Sequence, residues 1–204
     1  RGLAFAGIAT GAICGSCCGC YSLTVAWFLT RHESTSDVAR VEEIRAEFCS
    51  FQLPSDIKPQ RAERVPPNMR FLFYSEKPNF HDGETLVHMT HYAQWMGFDR
   101  KRVEGQINIH KRSLRGDRVE SRRVYTVEVN GELREVTRQV KVAADGTRYH
   151  NYWCALEATN GFVLAIYSMR QPAASASTDT TETEDPSLPP EVRTFFTSVQ
   201  PAGK

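Results

Sequence analysis

The sequence predicts an α+β protein in which an N-terminal transmembrane helix precedes one domain, an antiparallel β-meander packed by a C-terminal helix. Three observations predict this architecture: an uncharged N-terminal run, three Asn-Gly or Asp-Gly pairs between strand-like runs, and an amphipathic segment after residue 189. The predicted units are a transmembrane anchor at 1–31, a juxtamembrane helix at 32–48 and a single α+β domain at 49–204.

The predicted anchor is the uncharged run from residue 2 to residue 30. It exceeds the roughly 20 residues that a helix needs to cross a bilayer. Glycines four residues apart lie on one face of such a helix and allow a second helix to approach closely. They predict a glycine zipper, through which the chain would self-associate in the membrane, formed by Gly7, Gly11, Gly15 and Gly19. A cleaved signal peptide is the alternative, but the run ends in the bulky pair Trp27 and Phe28 instead of a small-x-small cleavage site.

Two opposing arguments bear on the side of the membrane on which the domain lies. Arg31, Arg40 and Arg45 follow the span, which favours a cytoplasmic domain. A short tail, one span and one folded domain are instead the layout of a signal anchor, and we favour an extracytoplasmic domain on that ground. In an oxidising compartment, Cys49 and Cys154 would form a disulfide if they meet.

The segment after the anchor has apolar residues at helical spacing. Val38, Val41, Ile44 and Phe48 recur on one side, and Ser36 or Asp37 is the expected N-cap. This juxtamembrane helix is expected to lift the domain off the membrane, or equally to pair with a copy of itself.

The next elements are strands and a loop. Residues 51–54 are interpreted as a short strand, the proline-rich residues 54–67 as a surface loop, and the aromatic residues 69–75 as a strand. Residues 86–96 are predicted as a strand, because the preceding Asp82-Gly83 resembles a hairpin turn.

The clearest pattern predicts four consecutive antiparallel strands. Asn-Gly and Asp-Gly pairs adopt the positive φ angles of tight hairpins, and they separate runs at about 119–129, 132–142, 147–157 and 162–169. The last run is apolar on both faces and should be central in the sheet or covered by another element. Residues 173–187 are acidic and rich in Ser and Thr, which predicts a flexible loop. A helix should open at Pro189 or Pro190 and cover the sheet with apolar residues up to Val199.

This order of elements resembles the PsbP-like group of small α/β/α domains, and short bacterial single-pass membrane proteins of unknown function built on that plan. The resemblance rests on the opening Phe-x-Leu-Pro (51–54), the meander and the closing Phe-Phe-x-Ser-Val (195–199). It covers roughly residues 45–200 and brings no shared catalytic residues with it. The resemblance implies a binding or assembly-assisting module.

Histidines and acids cluster between residues 80 and 91. Imidazole and carboxylate groups suit zinc or another borderline metal, so His81, His88 and His91 are the candidate ligands. Residues i and i+3 share a face in a helix but point to opposite faces in a strand. The predicted strand at 86–96 therefore argues against a joint site, and no cofactor is expected.

The most basic stretch leads into the first strand of the meander. It contains Lys111, Arg112, Arg115, Arg118, Arg122 and Arg123. Solvated loop and strand residues are one interpretation, and a patch for anionic lipid or an acidic partner is the other. A net charge of +1 and the lack of interleaved aromatic residues in this stretch argue against nucleic acid.

The function predicted from these features is that of a single-pass membrane-anchored domain for protein or lipid interaction or assembly, with no reaction assigned. No nucleophile elbow, phosphate-binding loop or His-Glu-x-x-His motif occurs in the sequence. The alternative is a membrane-tethered metal-binding protein or metal-dependent hydrolase that uses the histidine cluster.

Overall fold

An antiparallel sheet of eight strands dominates the domain in a computed structural model, which describes residues 32–66, 69–78, 84–93, 99, 102–103, 118–129, 131–173 and 187–202. In chain order the elements are β1 (Glu33–Thr35), α1 (Val38–Ala46), β2 (Cys49–Ser50), β3 (Lys58–Val65), β4 (Met69–Ser75), β5 (Thr85–Ala93), β6 (Arg118–Val129), β7 (Glu132–Val142), β8 (Arg148–Ala158), β9 (Gly161–Gln171), α2 (Pro190–Ser198) and β10 (Gln200–Pro201). The predicted antiparallel sheet and C-terminal helix are confirmed.

The strand order of the sheet is β1-β3-β4-β5-β9-β8-β7-β6, and a separate two-stranded sheet joins β10 to β2. The predicted meander forms β6 to β9, each strand pairing with the next along the chain. β9 lies between β5 and β8, as its apolar composition predicted. β1 and β6 are the opposite edges of the sheet.

Glycines with positive φ close the three meander turns. Gly131 has φ 77° and Gly146 has φ 83°, which are left-handed values that glycine adopts without a steric cost. Gly161 has φ 144°, and a Cβ atom added there would lie 1.9 Å from the backbone oxygen of Tyr92 on β5. The third turn therefore needs glycine for two reasons: its positive φ, and the close approach of the Tyr92 backbone oxygen to the position a Cβ would occupy.

One face of the sheet, here called the helix-side face, packs against both helices. α1 contributes Val41 and Ile44, which are fully buried. α2 begins at Pro190 and buries Val192, Phe195 and Phe196, as the sequence predicted. The ring of Phe195 packs against Phe51, Tyr167 and Phe196 at centroid distances of 5.7, 5.5 and 4.9 Å.

The other face of the sheet, here called the second face, carries a smaller apolar cluster. It consists of Tyr92, Val103, Trp153, Ala155 and Leu164. Val103 is fully buried, and the backbone N–H of its neighbour Arg102 donates to the Asp99 carboxylate at 2.7 Å. The sheet thus has apolar contacts on both sides of its centre.

Helix α1 belongs to the packed domain. Asp37 caps it by accepting a hydrogen bond from Arg40 N at 2.9 Å, which confirms one of the two predicted caps. The buried residues Val41, Ile44 and Phe48 lie in the main core together with residues of the sheet. The juxtamembrane helix predicted at 32–48 therefore packs on the domain that follows it.

A network of ion pairs links β1 and the α1 segment to strands β3 and β4 of the sheet. Glu33 accepts hydrogen bonds from Arg40 at 2.6 and 3.0 Å and from Arg64 at 2.9 Å. Glu47 extends this network of ion pairs to Arg64 and, at 3.1 Å, to Arg70. The end of the chain nearest the predicted anchor is thus bonded to β3 and β4.

Two predictions before β4 were wrong. The short strand is Cys49–Ser50 instead of 51–54, because the Phe51 ring turns into the core and Gln52 N bonds Ser198 Oγ at 2.9 Å. Residues 58–65 of the predicted loop form β3. Pro59 is tolerated there because β1 pairs only with residues 62–64 and a bulge separates Pro59 from Arg61.

Several predictions fall outside the described residues: the anchor and its glycine zipper, the Asp82-Gly83 turn, and the acidic segment from 174 to 186. Within the part of the chain that the structure describes, no helix has both the length and the apolar character to span a bilayer.

Candidate anionic-partner surface

Four arginines and a histidine meet on the helix-side face of β6, β7 and β8. The members of this arginine cluster are Arg118, Arg123, Arg138, Arg148 and His150. Strand register brings them together: Arg123 lies directly opposite Arg138, and Arg118 and Arg148 flank Val142 from either side. His150 lies one row away, opposite Val140.

Hydrogen bonds order the centre of the arginine cluster. Arg138 Nη2 lies 3.1 Å from His150 Nδ1, so a neutral imidazole accepts at Nδ1 and carries its proton on Nε2. Arg148 pairs with Glu120 of β6 at 3.3 and 3.4 Å. Glu120 occupies the bulge of β6, between Val119 and Ser121.

The electrostatics of this surface favour an anion. Like charges directly opposite on neighbouring strands destabilise a pair, and Arg123 and Arg138 occupy such positions. Both residues are half-buried, and the guanidinium Nε of Arg138 is itself buried. Arg118 is exposed. A bound carboxylate or phosphate would reduce the repulsion between these two guanidinium groups.

Tyr152 borders the arginine cluster on the side of α2. Burial raises the pKa of its phenol to about 12, although the nearby Arg138 guanidinium opposes that shift. The phenol is therefore neutral at physiological pH. It serves as a hydrogen-bonding group and not as a base.

The basic patch predicted from the sequence divides between the two faces. Arg118 and Arg123 belong to the arginine cluster, whereas Arg122 lies on the second face with its guanidinium 5.9 Å from the centre of the Trp153 ring. Lys111, Arg112 and Arg115 lie outside the described residues.

The basic stretch along the chain does not include Arg138, Arg148 and His150. They lie on later strands and join Arg118 and Arg123 only through strand pairing. The register of the two turns would have found them. Pairing Val129 with Glu132 across the first turn places Arg138 opposite Arg123. Pairing Val142 with Arg148 across the second turn then brings in Arg148 and His150.

The structure does not bring the predicted metal ligands His88 and His91 together. β5 is a strand, so they point to opposite faces of the sheet. His88 stacks 4.5 Å from the Phe73 ring and bonds Thr90 Oγ1 at 3.0 Å, whereas His91 is buried between Phe48 and Arg70. His81 lies outside the described residues.

A joint metal site gains no support from this geometry. Among the residues that the structure describes, no group of three His, Cys, Asp or Glu side chains is placed to hold a metal ion. The alternative function needs all three histidines on one ion, and the alternation along β5 separates two of them.

Cys49 and Cys154 are both buried and both carry free thiols. Burial strongly raises the pKa of the Cys49 thiol, which keeps it protonated and unreactive. Cys154 Sγ lies 3.9 Å from the carbonyl oxygen of Ala155. Both side chains therefore act as core residues here.

A scan against protein-family models finds no match for this chain, and a search of curated proteins finds none either.

Proposed function

We propose that the chain is a single-pass membrane-anchored domain that binds an acidic protein partner through the arginine cluster, without catalysing a reaction. The observation that carries this proposal is the convergence of four arginines and a histidine from three neighbouring strands on one face. Guanidinium groups recognise carboxylates through paired hydrogen bonds, which suits Asp and Glu side chains.

The position of the arginine cluster favours a protein over the bilayer that holds the predicted anchor. β1 follows that anchor directly, and β8, β7 and β6 are five to seven strands away in the sheet. At about 4.8 Å per strand this separation is roughly 24–34 Å. Attraction to anionic lipid decays over a Debye length of about 8 Å.

The buried chemistry of the domain fits a binding role. The Cys49 thiol and the Tyr152 phenol have raised pKa values, so neither offers an activated nucleophile or base at neutral pH.

Binding to a fluorescent polyglutamate peptide, measured by anisotropy with the full-length chain in detergent, tests the proposal. We expect saturable binding that weakens with salt, and at least about a fivefold loss of affinity in Arg123→Glu. The matched control is Arg193→Glu, which makes the same charge change on the exposed side of α2 and should bind as the wild type does.

Two results would overturn the proposal. Equal losses in both variants would mean that net charge, and not the arginine cluster, drives binding. Binding to phosphatidylserine vesicles without binding to the peptide would assign the surface to lipid.

A further inference from the structure

The outer edge of β6 combines an open strand edge with exposed apolar side chains. β6 ends the eight-stranded sheet and pairs with β7 alone among the described strands. The β6–β7 hairpin carries three strongly exposed large hydrophobic residues, namely Val119 at 55%, Val124 at 56% and Leu133 at 75% exposure. A long edge with exposed apolar residues is a template for pairing with another strand.

The turn fixes which backbone groups point outward. Val129 and Glu132 are partners on either side of a two-residue turn, and such a pair exchanges its hydrogen bonds. The direction alternates along the strand, and no bulge interrupts it between Ser121 and Val129. The outward N–H and C=O groups are therefore those of Arg122, Val124, Thr126 and Glu128, whose side chains all lie on the second face.

We propose that a second copy of this chain pairs antiparallel with the β6 edge, here defined as residues 122–128, and is related to the first by a two-fold axis at Tyr125. This inference goes beyond the proposed function. In this register Arg122 lies opposite Glu128 of the partner copy, and two-fold symmetry makes the same contact a second time. Val124 lies opposite Thr126 of the partner copy, also twice.

Charge complementarity selects this occupant and this register. Arginine on an edge strand normally discourages pairing, because an arriving strand must match its charge. Here the matching carboxylate lies on the same strand, six residues further on. A slip by two residues in either direction separates Arg122 from Glu128 and, in one direction, places Glu120 opposite Glu128.

The structure sets the limits of the interface. The bulge between Val119 and Ser121 ends regular pairing on one side, and the turn at residue 131 ends it on the other. The arginine cluster stays accessible, since Arg138, Arg148 and His150 lie on inner strands and on the opposite face. A dimer would therefore present two such clusters on one continuous sheet.

A charge swap tests the pairing with two differently tagged full-length chains expressed together and solubilised in a mild detergent. Arg122→Glu places Glu opposite Glu in its own dimer, and Glu128→Arg places Arg opposite Arg. A mixed pair of the two variants restores both contacts. We expect the two variants to co-purify at least about fivefold more than either variant with its own copy, and about as well as wild type with wild type.

The design separates this edge from contacts elsewhere in the chain. The N-terminal glycines are the same in every combination, so they cannot produce a preference for the mixed pair. Arg193→Glu makes the same charge change on the exposed side of α2, away from the 122–128 edge, and it should co-purify as wild type does. Equal recovery in all combinations would overturn the proposal.

Cross-linking adds a second test of the register. Val124→Cys in one chain and Thr126→Cys in the other should form an intermolecular disulfide, because directly opposite strand residues lie within disulfide reach. Two copies of Val124→Cys should cross-link less. A partner strand from another protein would leave both combinations without a cross-link, and that outcome would also overturn self-pairing.

Discussion

Gly161 joins β8 to β9 at the point where β9 passes closest to β5. Its φ of 144° is rarely adopted by other residues, and an added Cβ would meet Tyr92 O at 1.9 Å and Ala93 Cα at 3.0 Å. Both contacts are backbone atoms of a central strand, which cannot move aside without breaking pairing. We expect Gly161→Ala to lower the free energy of unfolding by at least about 3 kcal/mol, measured by urea denaturation.

Gly131 supplies the control for that substitution. It also has a positive φ, 77°, but nothing lies within 4 Å of an added Cβ. Gly131→Ala should therefore cost about 1 kcal/mol, for the backbone conformation alone. Similar losses in the two variants would mean that the contact with Tyr92 does not limit the turn.

The candidate site also shows which side-chain positions the strand pattern alone predicts. The strand period correctly places His88 and His91 on opposite faces, because alternation depends only on neighbouring positions. The convergence of Arg123 with Arg138 depends on register, which the Asn130-Gly131 turn encodes. The position of Arg122 over Trp153 depends in addition on the turn between β7 and β8. The composition along the chain therefore does not predict it.

At the scale of elements, Glu33 joins β1 to both α1 and β3. Hydrogen bonding to Arg40 holds the pKa of its carboxyl below the usual 4.5, with further lowering by Arg64. A carboxyl whose pKa is lowered by folding stabilises the fold above its unfolded pKa, and this contribution disappears as pH falls through the folded pKa. The effect belongs to the acid range, below about pH 4.5.

The corresponding prediction concerns Glu33→Gln. At pH 7 the variant should be less stable than wild type by about 0.5–1 kcal/mol, since the pair is partly exposed and screened by solvent. The difference should shrink as pH falls through the lowered pKa of Glu33, because both chains then carry a neutral side chain at this position. Thermal unfolding at several pH values measures it, with Glu43→Gln as a more exposed control on the same helix. A gap that stays constant with pH would contradict the assignment.

The elements themselves were predictable where a local signal decided the outcome. Turn pairs fixed β6 to β9, and Pro190 with its apolar spacing fixed α2. β3 was missed because prolines around residues 54–67 resemble a loop. Its strand pairing comes from β4, and Gln60 Nε2 adds a bond to Ser75 O at 3.1 Å. Such tertiary partners are not visible in a local pattern.

At the scale of the whole molecule, the position of α1 decides where the domain begins. The sequence predicted a juxtamembrane helix at 32–48 ahead of a domain at 49–204. In the structure, three residues of that segment, Val41, Ile44 and Phe48, are almost fully buried in the main core. Each contributes roughly 1.5–3 kcal/mol by burial, against a typical domain stability of about 5–15 kcal/mol.

We therefore expect a chain of residues 32–204 to unfold cooperatively and a chain of residues 49–204 to lose most or all of its stability. Urea denaturation followed by tryptophan fluorescence compares them, because Trp153 is buried in the folded domain and becomes exposed on unfolding. A third chain, 32–204 with Val38→Ser, controls for changes to α1 itself, since Val38 is exposed and should matter little. If residues 49–204 were as stable as 32–204, α1 would be a separable arm that leaves the sheet without cost. A large loss would instead mean that any movement of the predicted anchor is transmitted through α1 to the sheet, because the helix cannot detach without exposing the core.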